Sequence, residues 1–351
     1  MIKKILLLFI IFLFLGGCYD YSEINDLAII TAIGIDKKNN NYIVTYELLS
    51  DNLDKNSANI KSYTITQKGT TLTETIKKLE KKLIKKAYYA HADVVLLSEN
   101  VLKNNNIEVI DTILRNPKIR ENFALYIVDN PQKALKNTTD QMPIIGTNII
   151  NNFKKQNTNK LYKDVINEVL SFGKDTTIPK IKISNNTITL EGLAIFNNFK
   201  IVDYLDTDET SLYYLLNNNT NSYIQTKKYN DKDISVNIND SNIKINIDKK
   251  KILITGSIYA EIISNSSKIN LNNDRELLKI EKYFQKELNN NTINLFKKIQ
   301  NKKSDIFALS EKYYINTRNK NKLIWLYSDI DSNIKFNITK KGIINEVTNH
   351  E

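Results

Sequence analysis

The stretch Ile243-Lys244-Ile245-Asn246-Ile247 alternates strictly between apolar and polar side chains, as a β-strand with one buried and one solvated face does. The same alternation occurs at Ile234-Ser235-Val236-Asn237-Ile238 and from Ile252 to Ile263. Such strands are typical of antiparallel sheets, because one face packs on a core while the other meets water. The region from residue 222 onward is therefore predicted to form successive antiparallel strands.

A long helix is predicted directly after these strands. The sequence Asn273-Asp274-Arg275-Glu276 is typical of a helix start, and the helical pattern continues to about Lys302. Six apolar residues on or near one face form a stripe: Leu277, Ile280, Phe284, Leu288, Phe296 and Ile299. Because such a stripe needs an apolar partner, we expect the helix to lie across the sheet. A short helix around 307–314 and a strand at 334–339 complete this region.

Upstream of this region, the chain mixes strands and helices. Residues 27–35 and 42–49 are rich in β-branched side chains and flank the turn-forming residues 36–40, so they predict a hairpin. Residues 62–67 alternate and predict another strand. The order of elements in this part is therefore that of a mixed α and β region.

The first predicted helix begins at Thr71-Leu72-Thr73-Glu74. This is a capping-box sequence, in which the Thr71 hydroxyl and the Glu74 carboxylate satisfy backbone amides reciprocally. Apolar residues then recur at spacings of four, three and four, at Leu72, Ile76, Leu79 and Leu83. We expect this stripe to pack against the sheet.

The remaining elements suggest three folded units. Further strands are predicted at 93–98, 123–128, 187–196 and 200–203, and further helices at 107–114, 144–153, 161–170 and 207–216. Gly173 to Pro179 interrupts the pattern, which places a boundary near 175. The sequence thus predicts an α+β fold with three mixed α/β domains at 18–175, 176–221 and 222–351, the last being an antiparallel sheet packed with a long helix.

The first 17 residues have the layout of an export signal. Lys3 and Lys4 precede an apolar run from Ile5 to Leu15, which is too short to span a bilayer because a spanning helix needs about 20 apolar residues. Leu15-Gly16-Gly17-Cys18 follows. Small residues suit a peptidase cleft, and the Cys18 thiol is a nucleophile that can carry a diacylglyceryl group. We predict cleavage between Gly17 and Cys18 and lipid attachment at Cys18. An ordinary secretory signal and an uncleaved signal anchor are the alternatives.

Composition argues against several function classes. The formal net charge is +11, but it comes almost entirely from lysine, and a nucleic-acid surface usually relies on arginine. We therefore expect no nucleic-acid binding. Cys18 is the only cysteine, so after acylation no thiol remains for a disulfide, a metal or catalysis. No cofactor or metal site is predicted.

The search for catalytic residues finds none. The chain has two histidines, which are few for acid–base or metal chemistry. His91 lies near Asp93, and a structural role is expected for it. His350 is the penultimate residue, where chain ends usually fray. No nucleotide-binding loop or hydrolase motif occurs. Arg115 is expected to pair with acidic neighbours such as Asp111, and Trp325 is expected to be buried in a core. The chain is therefore predicted not to be an enzyme.

The quoted residues carry a resemblance to a known family. They run the length of the chain: Cys18-Tyr19-Asp20-Tyr21-Ser22-Glu23-Ile24-Asn25-Asp26-Leu27-Ala28, Ile33-Gly34-Ile35-Asp36, Asp111 to Arg120, Leu190-Glu191-Gly192-Leu193-Ala194-Ile195-Phe196, Leu205-Asp206 ahead of Glu209-Thr210, and Ser304-Asp305-Ile306-Phe307. The chain resembles the GerC family, the lipoprotein C subunit of spore germinant receptors. It departs at Tyr19, where the family usually has tryptophan, and at Ser22, where arginine is common.

The resemblance implies a three-domain mixed α/β protein tethered to the outer face of the spore inner membrane. It also implies two partners, the integral membrane A-type and B-type receptor subunits, with which the chain supports nutrient-triggered germination. A solute-binding lipoprotein of a nutrient transporter is the main alternative, although such proteins usually have two lobes of repeated βαβ units. A cell-wall enzyme is a third, disfavoured by the missing motifs.

Overall fold

A computed structural model describes residues 23–50, 60–103, 107–156, 158–184, 186–219, 223–229, 232–248, 250–266, 271 and 273–340. These residues form a sheet of nine strands and a sheet of four strands. Helices pack on both sheets, so the predicted α+β class is confirmed.

The large sheet contains β1 (Leu27–Lys38), β2 (Asn41–Leu49), β3 (Ser62–Gly69), β4 (Lys86–Tyr88), β5 (Val94–Leu97), β6 (Ala124–Ile127), β7 (Thr177–Ser184), β8 (Thr187–Asn197) and β9 (Lys200–Leu205). The helices of this part are α1 (Leu72–Lys82), α2 (Glu99–Leu102), α3 (Ile107–Leu114), α4 (Pro131–Leu135), α5 (Ile145–Gln156), α6 (Tyr162–Leu170) and α7 (Thr207–Leu216). A short 3-10 helix, Ile24–Asp26, precedes β1.

The strand order of the large sheet is β3-β2-β1-β5-β6-β7-β8-β9, with β4 pairing beside the start of β1. β1 and β2 form the predicted antiparallel hairpin, with Lys38 paired to Asn41. β1, β5, β6 and β7 run parallel, and β8 and β9 return antiparallel. Because parallel strands need crossover connections, helices lie between them in sequence.

Helices cover both faces of the large sheet. On one face, α1, α3 and α6 contribute apolar side chains to a core with β1, β2 and β5. On the other, α4 and α5 pack over Ala32, Leu96 and Tyr126. A parallel sheet buried on both sides explains why β5 (Val94–Leu97) and β6 (Ala124–Ile127) are apolar throughout.

The start of α1 follows the predicted cap with one difference. The Thr71 hydroxyl accepts a hydrogen bond from the Glu74 N–H at 3.1 Å, as expected. The Glu74 carboxylate, however, accepts from the N–H of Thr70 at 2.7 Å and not from that of Thr71. The stripe packs on the sheet as predicted, with Leu72 and Leu79 buried.

The second sheet contains β10 (Tyr223–Tyr229), β11 (Lys232–Asp248), β12 (Lys251–Asn265) and β13 (Asp329–Lys340), in that order. Its helices are α8 (Asp274–Lys302) and α9 (Leu309–Thr317), and a 3-10 helix spans Ile324–Tyr327. β10, β11 and β12 are antiparallel, as predicted. β13 pairs parallel to β12, which differs from the expectation of a wholly antiparallel sheet. The 63 residues between β12 and β13 contain both helices and allow the parallel return.

Helix α8 lies across this sheet, as the stripe predicts. Leu277, Ile280, Phe284, Leu288, Phe296 and Ile299 are all buried in one core with β10–β13. Polar residues of α8 also reach the outer edge of β13. Glu281 and Gln285 accept from the N–H groups of Ile338 and Phe336 at 2.8 and 3.3 Å. Asn289 exchanges two bonds with the backbone of Ile334.

The core of the second sheet also extends into the end of the first. Leu193, Ile195 and Leu205 of β8 and β9 belong to the same cluster as α7, α8 and α9. The predicted boundary near 175 falls between α6 and β7, and β7 continues the large sheet by pairing Lys180 with Ile127 of β6. The division into three domains stays a prediction.

Candidate functional site

The predicted lipid-attachment residue Cys18 and the cleavage position Gly17 lie outside the described residues. The described chain begins at Glu23 and enters β1 at Leu27. β1 is flanked by β2 and β5 inside the large sheet. The described chain therefore enters the interior of the large sheet directly after the 3-10 helix Ile24–Asp26. In the described part of the chain, no helix is long and apolar enough to cross a membrane.

The motif Ser304-Asp305-Ile306-Phe307 connects α8 to α9 and contacts the end of the large sheet. The Ser304 hydroxyl donates to the carbonyl of Phe196 at the end of β8, at 2.5 Å. The Asp305 carboxylate accepts from the N–H groups of Leu309 and Ser310, at 2.7 and 2.8 Å. Asp305 thus satisfies the first amides of α9, which otherwise lack partners.

Asp175 joins this arrangement from the connection between α6 and β7. Its carboxylate accepts from the Asp305 N–H at 2.8 Å and from the Asn198 N–H at 3.2 Å. Its own N–H donates to the Asp305 carbonyl at 3.0 Å. The Asp175–Asp305 contact therefore fixes α9 against the end of the large sheet.

Burial governs the titration of both carboxyl groups. Desolvation raises the pKa of Asp305 to about 6, against the opposing effect of its hydrogen bonds from Ser310 and Leu309. Burial likewise raises the pKa of Asp175. A raised carboxyl pKa is common in active sites, but here the carboxylate oxygens are occupied by backbone and serine donors. The arrangement suits a structural contact better than proton transfer.

A buried ionic cluster lies next to this contact. Burial alone would raise the pKa of Glu168, but the ammonium groups of Lys160 and Lys174 outweigh it and hold that pKa below its usual range. Glu168 contacts Lys160 closely and pairs with Lys174 at 2.8 Å. Thr176 donates to the same carboxylate at 2.8 Å. The cluster ties α6 to the residues that lead into β7.

These elements border a cleft of about 480 Å³, which we call the junction cleft. Its walls include Phe172, Asp175, Asp305, Lys322 and Trp325. The Lys322 ammonium lies 4.3 Å from the Phe172 ring centre. Trp325 is buried, as predicted.

Two other quoted motifs also have structural roles. Gly192 has a φ of +156°, and a Cβ there would lie 2.3 Å from the carbonyl oxygen of Leu205 on the next strand. Asp206 and Glu209 form a reciprocal capping box at the start of α7. Lys298 of α8 pairs with Glu209 at 2.6 Å, so the cap also anchors the long helix. These motifs therefore position elements of the fold.

Glu47 is a buried carboxylate that sequence analysis missed. It is fully buried on β2 and accepts from the N–H groups of Ile145 and Gly146 at the start of α5, at 2.6 and 2.9 Å. The hydroxyls of Thr31 and Ser62 complete its partners. The available signal is an acidic residue inside the mostly apolar strand 42–49. Its position at a helix N-terminus indicates a stabilising role.

The remaining candidate residues are not brought together. His91 is exposed and stacks obliquely on Tyr88, with ring centres 5.5 Å apart, and it lies near Asp93 without a hydrogen bond among the described contacts. Arg115 pairs with Asp111 at 2.7 Å, as expected. Within the described residues, no group of three or more His, Cys, Asp or Glu residues could hold a metal ion.

Comparison with known proteins places this arrangement in a class. The crystal structure of the GerBC protein covers 88% of this chain and 96% of its own, with a TM-score of 0.52 and 20% identity. The fold is thus of the GerBC type.

Family models define the membership more closely. Residues 20–183 match the spore germination protein N-terminal domain, and residues 191–346 match the spore germination B3/GerAC-like C-terminal domain. The chain therefore belongs to the GerAC family of spore germination proteins. Similar relatives include spore germination protein KC of Bacillus subtilis, 25% identical over 90% of this chain and 88% of the relative. Spore germination protein GerQC of Bacillus cereus is 21% identical over 96% of both chains.

Proposed function

We propose that this chain is the lipid-anchored C subunit of a spore germinant receptor. The observation that carries the proposal is the match of both halves of the chain to the two GerAC-type family models. The relatives that span nearly the whole chain are named as spore germination proteins, which favours this function over a transporter lipoprotein.

We place the chain on the outer face of the spore inner membrane, held by diacylglyceryl Cys18. Two acyl chains support firm attachment, since each buried CH₂ contributes about 0.8 kcal/mol and a single chain binds only marginally. In this arrangement the folded part acts through contacts with the A-type and B-type membrane subunits. We infer a non-enzymatic role, because the described buried carboxylates are occupied by structural hydrogen bonds.

The anchor is tested by the mass of the N-terminal peptide of membrane-purified protein. We expect a peptide that begins at Cys18 and carries the mass of a diacylglyceryl group. Cys18→Ala should release the protein from the membrane fraction and reduce nutrient-triggered germination. Gly17→Ala is the matched control, because another small residue at the cleavage site should still be processed. Full membrane retention and normal germination of Cys18→Ala would contradict the proposal.

The receptor role is tested by co-purification of the full chain with its A-type and B-type subunits. We expect both membrane subunits to be recovered with the wild-type chain. Germination assays should use a strain without paralogous receptors, because these can mask a single deletion. Normal germination of such a strain after deletion of this chain would overturn the role.

A further inference from the structure

Among the described residues β10 is an edge strand of the second sheet, and its outer side borders a groove of about 350 Å³, which we call the edge groove. One wall is the edge strand itself, from Ile224 to Lys227. The opposite wall is the start of α7, with Asp206, Asp208 and Glu209. Helix α8 closes the bottom with Leu288, Asn291, Asn294 and Leu295. The groove therefore runs beside an edge strand and is lined mainly by polar side chains.

The register of β10 shows which backbone groups face this groove. Tyr229 pairs with Lys232 across a two-residue connection, and the closing pair of such a hairpin exchanges backbone hydrogen bonds. Bonded and non-bonded pairs alternate along antiparallel strands, so Tyr229, Lys227 and Gln225 bond to β11. The N–H and C=O groups of Ile224, Thr226 and Lys228 consequently point outward. Among the described residues, no side chain donates to or accepts from them.

The side chains around the groove suit an extended polypeptide. Ile224 lines the groove and is 57% exposed. The amides of Asn291 and Asn294 lie at its bottom beside the buried side chains of Leu288 and Leu295, and they can bond to a polar side chain of an occupant. Strands pair at about 4.8 Å and rise about 3.3 Å per residue, so the seven residues of β10 present about 23 Å of edge.

The charged side chains of the groove indicate which kind of polypeptide segment could bind there. The α7 wall carries three carboxylates, but Asp206 caps α7 and Glu209 is paired with Lys298, and the edge strand places the basic side chain of Lys227 in the same groove. Asp208 is exposed and lies in the first turn of α7. Among the described contacts Asp208 has no ion-pair partner, so it favours an occupant that brings a basic side chain opposite it.

We propose that the edge groove binds an extended, basic segment of a partner protein, which pairs with β10 as a fifth strand of the second sheet. Strand addition of this kind uses main-chain hydrogen bonds for affinity and side-chain pockets for selectivity. The inference rests on the proposed receptor function, because the partner segment is assigned to one of the two membrane subunits.

The test is co-purification of full-length variants with the co-expressed A-type and B-type subunits. Thr226→Pro removes one outward N–H and places a ring at the edge, while the ladder to β11 keeps its bonds. We expect it to reduce recovery of a membrane subunit at least tenfold. Thr226→Val keeps the N–H and is the matched control, with recovery within twofold of wild type.

A second pair of variants keeps the test valid if Thr226→Pro fails to fold, which thermal unfolding by circular dichroism will report. Asp208→Lys reverses a charge in the groove and should lower recovery three- to tenfold. Asp140→Lys makes the same change at a side chain that is 98% exposed, outside the groove, and should leave recovery unchanged. Equal recovery with Asp208→Lys and Asp140→Lys would overturn the proposal.

Direct contact is measured with Thr226→Cys carrying a maleimide benzophenone. In the proposed lipoprotein Cys18 is acylated and no other cysteine exists, so the label is unique. We expect a photo-crosslink to a membrane subunit that Asp208→Lys weakens.

The remaining outcomes are also decisive. Wild-type chain that recovers neither membrane subunit overturns the proposed function, and the inference with it. Recovery of both subunits by wild type and by folded Thr226→Pro overturns the inference alone. A wild-type dimer in detergent that Thr226→Pro dissociates assigns the edge to a second copy, which also overturns the proposal.

Discussion

The two edges of the second sheet differ in the side-chain contacts that the described residues make with them. At β13, side chains of α8 occupy successive outward N–H groups: Glu281, Gln285 and Asn289 bond to Ile338, Phe336 and Ile334. At β10, the same sheet borders the edge groove, and no described side chain covers the strand. In the described part of the chain, one edge is bonded to a helix and the other is not.

The difference follows from the sequence of α8. Glu281, Gln285 and Asn289 recur every four residues, so they form one polar row along the helix beside its apolar stripe. Edge strands are usually protected, since their free backbone groups attract other strands. The described residues thus protect one edge with three polar side chains and give the other no such protection, which is consistent with a structural edge and an edge available for pairing.

The largest expected effect comes from the strand between the edges. Gly256 of β12 has a φ of +152°, and a Cβ there would lie 2.1 Å from the Asn242 carbonyl oxygen. Gly256→Ala should lower the free energy of unfolding by about 4 kcal/mol through strain and overpacking. Urea unfolding measures this change. A loss below about 1 kcal/mol would mean that the sheet adapts, and that its edges are not held in a fixed geometry.

The contribution of the Asp175–Asp305 contact to stability can be distinguished from that of the sheet edges by its dependence on pH. Because burial raises the pKa of Asp305 to about 6, the native state holds this proton more tightly than the unfolded chain does. Protonated Asp305 therefore contributes about 3 kcal/mol to the free energy of unfolding. This contribution is fully present below about pH 4 and is lost as the pH rises through about 6. Asparagine does not titrate, so from about pH 4 to 7 the unfolding free energy of wild type should fall by about this amount relative to that of Asp305→Asn. A constant difference would contradict the assignment.

The edge bonded to α8 is tested at Asn289. Asn289→Ala leaves the partly buried N–H and C=O of Ile334 without their partner and should cost about 2 kcal/mol. Asn290→Ala is the control, because Asn290 is exposed on the same helix and alanine favours helices. Equal urea midpoints for the two variants would show that the α8 row does not stabilise the edge.

The wall of the edge groove is tested at Lys298. Its ammonium donates to the Tyr204 carbonyl at 2.9 Å and pairs with Glu209, with both side chains about one quarter exposed. Lys298→Met keeps the apolar stem and should cost about 1 kcal/mol, measured by thermal unfolding. Lys297→Met at a neighbouring exposed position is the control. Identical melting curves would remove Lys298 as the link between α7 and α8.

The smallest effect is expected at the β10 edge. Thr226→Val should change the free energy of unfolding by less than about 0.5 kcal/mol, because Thr226 is exposed and bonds only to the Ser235 hydroxyl among its described contacts. Urea unfolding beside Asn289→Ala compares the two edges directly. A cost of 2 kcal/mol at Thr226 would show that β10 is not an accessible edge.

Elements with a strong local signal could be predicted from the sequence. The helix predicted at 207–216 matches α7, because Asp206 and Glu209 cap its start. The six apolar positions of α8 are all buried, because helical spacing fixes which side chains share a face. Local patterns also gave the hairpin of β1 and β2.

Features that depend on distant residues could not be predicted. The parallel pairing of β13 depends on how α8 and α9 return the chain, which alternation does not encode. The three-residue strand β4 is too short to show a period. The Asp175–Asp305 contact joins residues 130 positions apart, and nothing local distinguishes these carboxylates from solvated ones. The edge groove likewise needs the packing of α7 beside β10.

The shared core has a practical consequence for anyone who wishes to divide this protein. Leu193, Ile195 and Leu205 precede residue 222, yet they are buried with the side chains of α8 and α9. Cutting the chain at residue 222 would separate these neighbours and expose apolar surface on both fragments. Shortening from the amino-terminal side should therefore retain β8, β9 and α7 with the carboxy-terminal half if a well-behaved sample is wanted.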